Sequence, residues 1–445
     1  MADPLKSVTH GACQIIASVQ RSACGVRLAP EWLPINRPNA ARRTPHGGNC
    51  KPATGATILC MIGYGRQSID DQDIAAVVAA LKSDFLTCGP AVDAFEAEIC
   101  RVTGAKHAIA VSNGTSALKL LYQAVGIGPG KRVGVPALTF VATASQAMLL
   151  GAEVVLLDVD PLTLNLTPAI LDACRERLDF VVPVHFAGRL CDMAGIADVA
   201  ARKGIRVVDD GAHAFGSSWG SDEAAPVWRC GDGQYSLGTA LSFHPVKNIT
   251  TGEGGAICVQ DDALAASLRS LRHHGIQRSG FCGDLAGSES TGFWYHEFHE
   301  PSTNERLSDI QAALGASQCG KLARFKLARA TQVERYRREL PAWAAAPAPA
   351  PEQLPFWHIC SAQIQWAVTG RSRTQIMNDA KAAGLSLMVH YIPLHHQPIL
   401  AKATRASDLS GADRVFPGIL SLPCYPDLTH AQQGQVIDWI RGLRK

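Results

Sequence analysis

Between His107 and Asp210, short apolar runs alternate with longer segments of helical spacing, and this alternation constrains the fold more than any other feature. His107-Ala-Ile-Ala-Val111 is predicted as a buried strand. Further strands are predicted at Arg132–Val135, Glu153–Val159, Phe180–Val184 and Ile205–Asp209. Helices are predicted between them, over Ser116–Val125, Ala142–Leu150, Pro168–Arg177 and Ala194–Lys203. Strand and helix in alternation argue an α/β class: a mostly parallel sheet covered on both faces. Ligand sites on such sheets gather beyond the carboxyl ends of the strands. Gly114, Thr139-Phe140, His185 and Asp210 fall at those ends.

A stretch downstream carries a lysine in an unusual setting. Ser242-Phe-His-Pro-Val-Lys247-Asn-Ile-Thr-Thr-Gly-Glu-Gly-Gly255 holds it among apolar, small and glycine residues, with Glu253 as the other charged side chain. Loss of hydration disfavours the ammonium, lowers its pKa and frees an amine. Such an amine is the nucleophile of Schiff-base chemistry with an aldehyde cofactor or a carbonyl substrate. For an isolated lysine, a surface position in a Gly-rich turn is the commoner case, so the rest of the chain must decide. Ser112-Asn-Gly-Thr-Ser116 joins a strand to a helix, where amides and hydroxyls face an anion at a helix N-terminus; many such turns bind nothing. Val207-Val-Asp-Asp210-Gly-Ala-His213 ends a strand in two acids. These are ordinary helix caps, or an anion that pairs a pyridinium nitrogen and keeps an electron sink protonated. Phe140, after Pro136-Ala-Leu-Thr139, is either core packing or a surface for a flat ring. Together they make a phosphate cradle, a stacking ring, a strand-end carboxylate and then a lysine, in that order along one sheet.

Two other patterns point away from ligands. Gly126-Ile-Gly-Pro-Gly-Lys131 has Arg132 where a phosphate loop needs Ser or Thr, which makes it a plain turn. His296-Glu-Phe-His299 places two histidines at i, i+3 with no third ligand identifiable nearby, which reads as polar surface rather than a zinc site; no metal site is expected.

The 445 residues suggest two packed domains. A net charge of +3 implies neither a nucleic-acid nor an acidic-membrane partner. No apolar run reaches the ~18 residues that span a bilayer. The 14 cysteines are scattered without a CxxC pair, which fits a reducing, cytoplasmic setting rather than a disulfide framework. Residues 1–60 are rich in arginine and proline and lack sustained periodicity; they are expected to be a disordered extension, or to precede a true start at Met61. A large domain is expected over residues 61–320. It opens with helices over Ile69–Lys82 and Ala91–Val102 and includes a strand Gly255–Val259, a helix Leu264–Leu271 and a Gly/Ser-rich mobile loop Ser279–Gly292. A long helical pattern, with a break, runs from Ser308 to Leu340. The Ala/Pro run after Ala342 is a connection into a smaller α+β domain, residues 321–445. That domain has strands at Gln363–Val368 and Ser386–Tyr391, a helix Thr374–Ala383 and a closing helix Ala431–Leu443.

The set around Lys247 resembles the DegT/DnrJ/EryC1/StrS family of pyridoxal-phosphate sugar aminotransferases, with the fold type I architecture. The matching stretches are Tyr64–Ile69, Ser112–Leu118, Pro183–Gly188, Ser242–Gly255, Val389–Pro398 and Ser421–Pro426. Within the family the chain is most similar to the pseudaminic acid branch, the UDP-4-amino-4,6-dideoxy-N-acetyl-β-L-altrosamine transaminases. The resemblance implies that Lys247 holds pyridoxal 5'-phosphate covalently and shuttles a proton. By the same resemblance Asp210 pairs the pyridine nitrogen, His213 lies beside the ring and Phe140 stacks on it. Gly114, Thr115 and Ser242 bind the phosphate, joined by Asn304 from the partner subunit, so the active unit is a homodimer with shared sites. Tyr64, Asp84, Phe85, Leu86, Thr87, Tyr391, Ile392, Pro393 and Leu394 match positions that contact a nucleotide sugar. The implied reaction moves an amino group from L-glutamate to C4 of a nucleotide-linked 4-keto-6-deoxy sugar. The alternatives are another keto sugar, a cyclitol, or an inactive cofactor-binding regulator. The related sugar 3-dehydratases have histidine where Lys247 stands. Ser302-Thr-Asn-Glu305 and Cys88 depart from the family pattern.

Overall fold

The computed structural model describes residues 61–220, 222 and 224–444. The expectation for residues 1–60 lies outside the described residues. A mixed sheet organises the chain. Its parallel part runs Glu153–Leu157, Arg132–Pro136, Phe180–Val181 and Arg206–Val207, with Thr404–Arg405 added at the edge beside Glu153–Leu157. Asp209–Asp210 continues the strand Arg206–Val207 and pairs in parallel with Thr239–Ser242. Gly255–Val259 then runs antiparallel between Thr239–Ser242 and His107–Val111.

Side-chain alternation places a core on each face of this sheet. Ile109, Val133, Val135, Val154, Leu156, Ile257 and Val259 share one apolar cluster. Ala108, Ala110, Val155, Leu157, Ala256 and Cys258 belong to another. Neighbouring residues on a strand point to opposite faces, so these runs are apolar throughout because both faces are covered.

The helices follow the expected order. Asp71–Leu81 starts from a capping box in which Asp70 and Asp73 each accept the other's amide. Pro90–Thr103 ends at Gly104, whose φ of 82° suits a residue without Cβ. The long pattern after Ser308 is two helices, Asp309–Cys319 and Leu322–Glu339, broken at Gly320 and Lys321. Two elements differ from expectation. The helix from Pro168 stops at Ala173 rather than Arg177, because Lys203 Nζ gathers the carbonyls of Leu171, Asp172 and Cys174. The Ala/Pro run contributes a short edge strand, Ala344–Ala345, antiparallel to Cys360–Ile364; prolines are tolerated beside an edge strand.

Cys360–Ile364 also pairs with Ile419–Leu422. Helices Arg373–Ala382 and His430–Arg441 pack on this small sheet around a third apolar cluster. Ile62–Gly63 joins it by pairing with Leu385–Ser386. Every cysteine among the described residues is unpaired. No helix among them is long and apolar enough to cross a membrane.

Candidate active site

Lys247 sits in the loop between the paired strands Thr239–Ser242 and Gly255–Val259. The loop is stiffened from within. Phe243 N–H donates to Gly254 O at 2.8 Å, and Thr251 N–H donates to Phe243 O at 3.0 Å. The fully buried Phe243 ring meets Phe95 and Phe215 edge-on, with centroids 5.2 and 5.3 Å away. Asn248 Nδ2 donates to the carbonyls of Phe215 and Phe356. Arg329 fixes the backbone of the lysine itself. Its guanidinium is buried in the adjoining helix and donates to Lys247 O at 3.1 Å, His358 O at 2.8 Å and Cys424 O at 2.7 Å.

The lysine side chain enters a cavity of ≈ 280 Å³. It keeps some accessible surface because it forms part of the cavity wall. Burial of the amine pulls its pKa from 10.5 to about 8, with Asp210 acting in the opposite sense. Lys247 Nζ makes no hydrogen bond to any described residue. An amine tuned to this range is partly neutral, and so nucleophilic, near physiological pH.

Asp210 ends its strand on the same wall. Thr143 Oγ1 donates to Asp210 Oδ2 at 2.8 Å, and Ala212 N–H donates to Oδ1 at 3.0 Å. Burial raises the carboxyl pKa; the Ala212 amide, the Thr143 hydroxyl and Lys247 oppose the rise. His213 follows on the next turn. Its Nδ1 accepts from Ala187 N–H at 3.3 Å, which leaves the proton of the neutral ring on Nε2, 3.0 Å from Tyr391 Oη. Burial, then Lys247 and His390, hold the His213 pKa well below the usual histidine value.

At the other end the helix Gly114–Ala124 points its N-terminus into the cavity. Asn113 Oδ1 caps Ser116 N–H at 2.8 Å, while the amides of Gly114 and Thr115 have no acceptor among the described residues. A Cβ on Gly114 would stand 2.8 Å from Ser242 Cβ and 3.1 Å from its Oγ, so glycine lets the helix end meet Ser242. Open amides, a hydroxyl and the positive end of a helix form an anion cradle. Phe140 is 51% exposed at the mouth, 5.7 Å from the Tyr391 ring.

The cavity thus brings together Lys247, Asp210, His213, Gly114, Thr115, Ser242, Phe140, Tyr64 and Tyr391. The other expected residues lie off its wall. Asp84, Phe85, Leu86 and Thr87 are exposed, with Thr87 bridged to Ser308. Ile392 is exposed and Pro393 buried; Leu394 is fully buried, its N–H donating to Ala137 O at 2.7 Å. Asn304 is exposed, bridges His273 and accepts Arg306 N–H at 3.4 Å. Among the wall residues outside the expected set are His390 and His358. His390 lines the cavity with Nδ1 2.7 Å from Ser421 Oγ. His358 is 3% exposed, its ring 4.5 Å from that of His213, and its Nδ1 has no partner. His358 lies in the irregular segment just before the strand Cys360–Ile364 with no motif around it, so no sequence signal marks it. Chemically, the arrangement suits a flat ring with an anionic tail, a basic ring nitrogen facing Asp210 and a carbonyl facing Lys247.

Compared with known proteins, residues 67–441 match the model of the DegT/DnrJ/EryC1/StrS aminotransferase family. The spore coat polysaccharide biosynthesis protein SpsC of Bacillus subtilis strain 168 is 34% identical over 389 residues, spanning 86% of this chain and 97% of SpsC. A DegT DnrJ EryC1 StrS aminotransferase from Brucella abortus shares the fold with a TM-score of 0.73 at 29% identity, covering 84% of this chain and 95% of that one. Helicobacter pylori PseC, an aminotransferase involved in the biosynthesis of pseudoaminic acid, gives a TM-score of 0.77 at 24% identity, over 86% and 99% of the two chains. This last likeness is one of fold.

Proposed function

We propose that this chain, which belongs to the DegT/DnrJ/EryC1/StrS aminotransferase family, transfers an amino group from L-glutamate to C4 of a nucleotide-linked 4-keto-6-deoxy sugar. Its cofactor is pyridoxal 5'-phosphate. When bound, that group supplies an electron sink for the carbanion formed at the donor's α-carbon. The observation that carries the reading is the Lys247 amine, buried to a pKa of about 8 on the wall shared with Asp210 and the Gly114 cradle.

Each wall residue then has a task that its environment suits. The amides of Gly114 and Thr115 and the Ser242 hydroxyl would hold the phosphate. Asp210, oriented by Thr143 and Ala212, would pair with the pyridine nitrogen and favour its protonated form. Phe140 offers its exposed face to the ring. Lys247 Nζ, neutral in part, takes the proton from the donor's α-carbon. His213 stays uncharged and holds Tyr391 Oη at 3.0 Å, where the hydroxyl borders the substrate side of the cavity. Tyr64 stands beside His390, centroids 5.0 Å apart. Asn304 is exposed and off its own cavity wall, which is compatible with a homodimer in which it completes the partner's phosphate site.

UDP-linked 4-keto-6-deoxy-N-acetyl-hexosamine is the preferred acceptor in this reading, on the stretches Tyr64–Ile69, Val389–Pro398 and Ser421–Pro426. The test is a panel of UDP- and dTDP-linked 4-keto sugars incubated with L-glutamate, with amino sugar and 2-oxoglutarate quantified together. Turnover of the UDP-linked N-acetyl compound above all others is expected. Turnover by a Lys247→Ala variant would rule out the reaction type, whereas preference for a dTDP sugar or a cyclitol would overturn the acceptor alone.

A further inference from the structure

We propose that Cys282, Glu297 and His299 bind a zinc-type divalent ion that fastens the excursion between Gln277 and Glu297. The stretch His296–His299 lacks a third ligand in sequence, and folding supplies one. Ile276–Gln277 pairs antiparallel with Glu297–Phe298, so the intervening segment loops back and delivers Cys282 to the two side chains. The sequence reading of this stretch as polar surface had no such neighbour in view. His296 takes no part; its Nδ1 faces Trp294 O at 3.2 Å.

Cys282 Sγ, a Glu297 oxygen and a His299 nitrogen all lie within 4.8 Å of one another. His299 Nε2 is 3.9 Å from Cys282 Sγ and 2.6 Å from Glu297 Oε2. One ring nitrogen thus faces both the sulfur and the carboxylate. A thiol activated through imidazole uses the two ring nitrogens separately, so these contacts describe convergence on a point rather than a relay. Tetrahedral zinc, with bonds of about 2.0–2.3 Å, holds its S and N ligands roughly 3.6 Å apart and its N and O ligands roughly 3.3 Å apart. Shifts of well under 1 Å, roughly, convert the present spacing of the histidine to its two neighbours into that geometry.

The carboxylate is held ready by its surroundings. Cys282 N–H donates to Oε2 at 2.8 Å; Gly283 N–H and Tyr295 Oη–H donate to Oε1, each at 2.8 Å. Such outer partners orient metal ligands. A sulfur and imidazole donor pair selects zinc-type ions over magnesium or calcium. On binding, the Cys282 thiol proton leaves to solvent and the His299 ring carries its proton on Nδ1, with solvent as fourth ligand. The other two convergent clusters lack this character. His185, Asp209 and Cys230 are buried, with the His185 and Asp209 polar atoms already hydrogen-bonded. His395, His396 and Asp413 bring no sulfur donor, the ligand type that favours zinc-type ions at Cys282.

The experiment is a cobalt titration of chelator-treated holoenzyme, read as difference spectra against the cobalt-free protein. One equivalent of Co²⁺ should produce a thiolate-to-cobalt charge-transfer band, and one equivalent of Zn²⁺ should displace it. Cys282→Ser and His299→Ala, checked for native circular dichroism, should lose the band. Cys88→Ser, at the other exposed cysteine among the described residues, and His396→Ala should keep it. Tyr295→Phe should weaken cobalt binding about tenfold. No band in the parent protein, a band surviving in Cys282→Ser, or one lost in His396→Ala would each overturn the site.

Discussion

Replacing Lys247 by Met in the cofactor-free protein should stabilise the fold near neutral pH. The folded chain lowers the lysine pKa from 10.5 to about 8. A folded pKa below the unfolded one means that the native state resists the proton. Below pH 8 the amine is charged in both states, and the whole penalty of carrying that charge inside is present. Between about 8 and 10.5 the unfolded chain binds more protons, so the parent's stability rises with pH. Above 10.5 both states are neutral and the penalty is gone. At about 1.4 kcal/mol per pKa unit, the gap amounts to roughly 3 kcal/mol. Met matches the aliphatic stem, and no described residue loses a hydrogen bond from Nζ. Urea unfolding of parent and variant, followed by tryptophan fluorescence, should put Lys247→Met ahead by about 3 kcal/mol at pH 7 and by less than about 1 kcal/mol at pH 10. A variant no more stable than the parent at pH 7, or a difference that ignores pH, would refute the argument that burial rather than contact sets this amine.

Three further outcomes follow from the wall. Gly114→Ala drives a methyl to 2.8 Å from Ser242 Cβ and should lower affinity for pyridoxal phosphate at least tenfold, with a cost of about 1–3 kcal/mol in unfolding free energy; equilibrium dialysis of the cofactor checks it, and unchanged affinity would contradict the cradle. Asp210→Asn keeps hydrogen-bonding capacity towards Thr143 and Ala212 but removes the charge. Turnover should fall by roughly 10²–10³, and the pKa of the Lys247 amine in the cofactor-free protein, read from its pH-dependent chemical modification, should drop further; an unshifted amine would count against their coupling. Arg329→Met strips donors from the carbonyls of Lys247, His358 and Cys424. Such bonds are worth about 1.5–3 kcal/mol each before the relief of a buried cation is subtracted. A net loss of about 3 kcal/mol in denaturant unfolding is expected, and a change under about 0.5 kcal/mol would dismiss the role given to Arg329.

The sheet was legible where its signal was local. His107–Val111 and Gly255–Val259 were expected with their observed bounds, because strands covered on both faces are unbroken apolar runs. Thr239–Ser242 was not anticipated: four residues that pair on both sides carry too little pattern of their own. The strand ends beyond Val181 were overestimated. There the ladder gives way to single bonds such as His185 N–H to Asp210 O, which bend the chain into the cavity.

The same physical distinction separates the two halves of the site. Lys247, Ser242 and Gly114 could be found because each acts through its immediate neighbours: a loop without competing charges, a turn with open amides, a glycine where a Cβ has no room. His358, Arg329 and Cys282 act only through residues far along the chain. Arg329 is 82 residues from the lysine carbonyl it holds, and its helix resembles any surface helix, rich in Lys and Arg, until the fold buries that one guanidinium. Cys282 stands 17 residues from His299, in a Gly/Ser-rich stretch whose composition argues for mobility. The antiparallel pairing of Ile276–Gln277 with Glu297–Phe298 removes that freedom by closing the stretch at its base. An ion would close it a second time, tying Cys282 to His299, which precedes Asn304 in the chain. Occupancy of the metal site should therefore alter proteolytic cleavage between 284 and 294 before it alters anything at Lys247. Equal cleavage with and without zinc would leave the ligands close together but without the fastening role assigned to them.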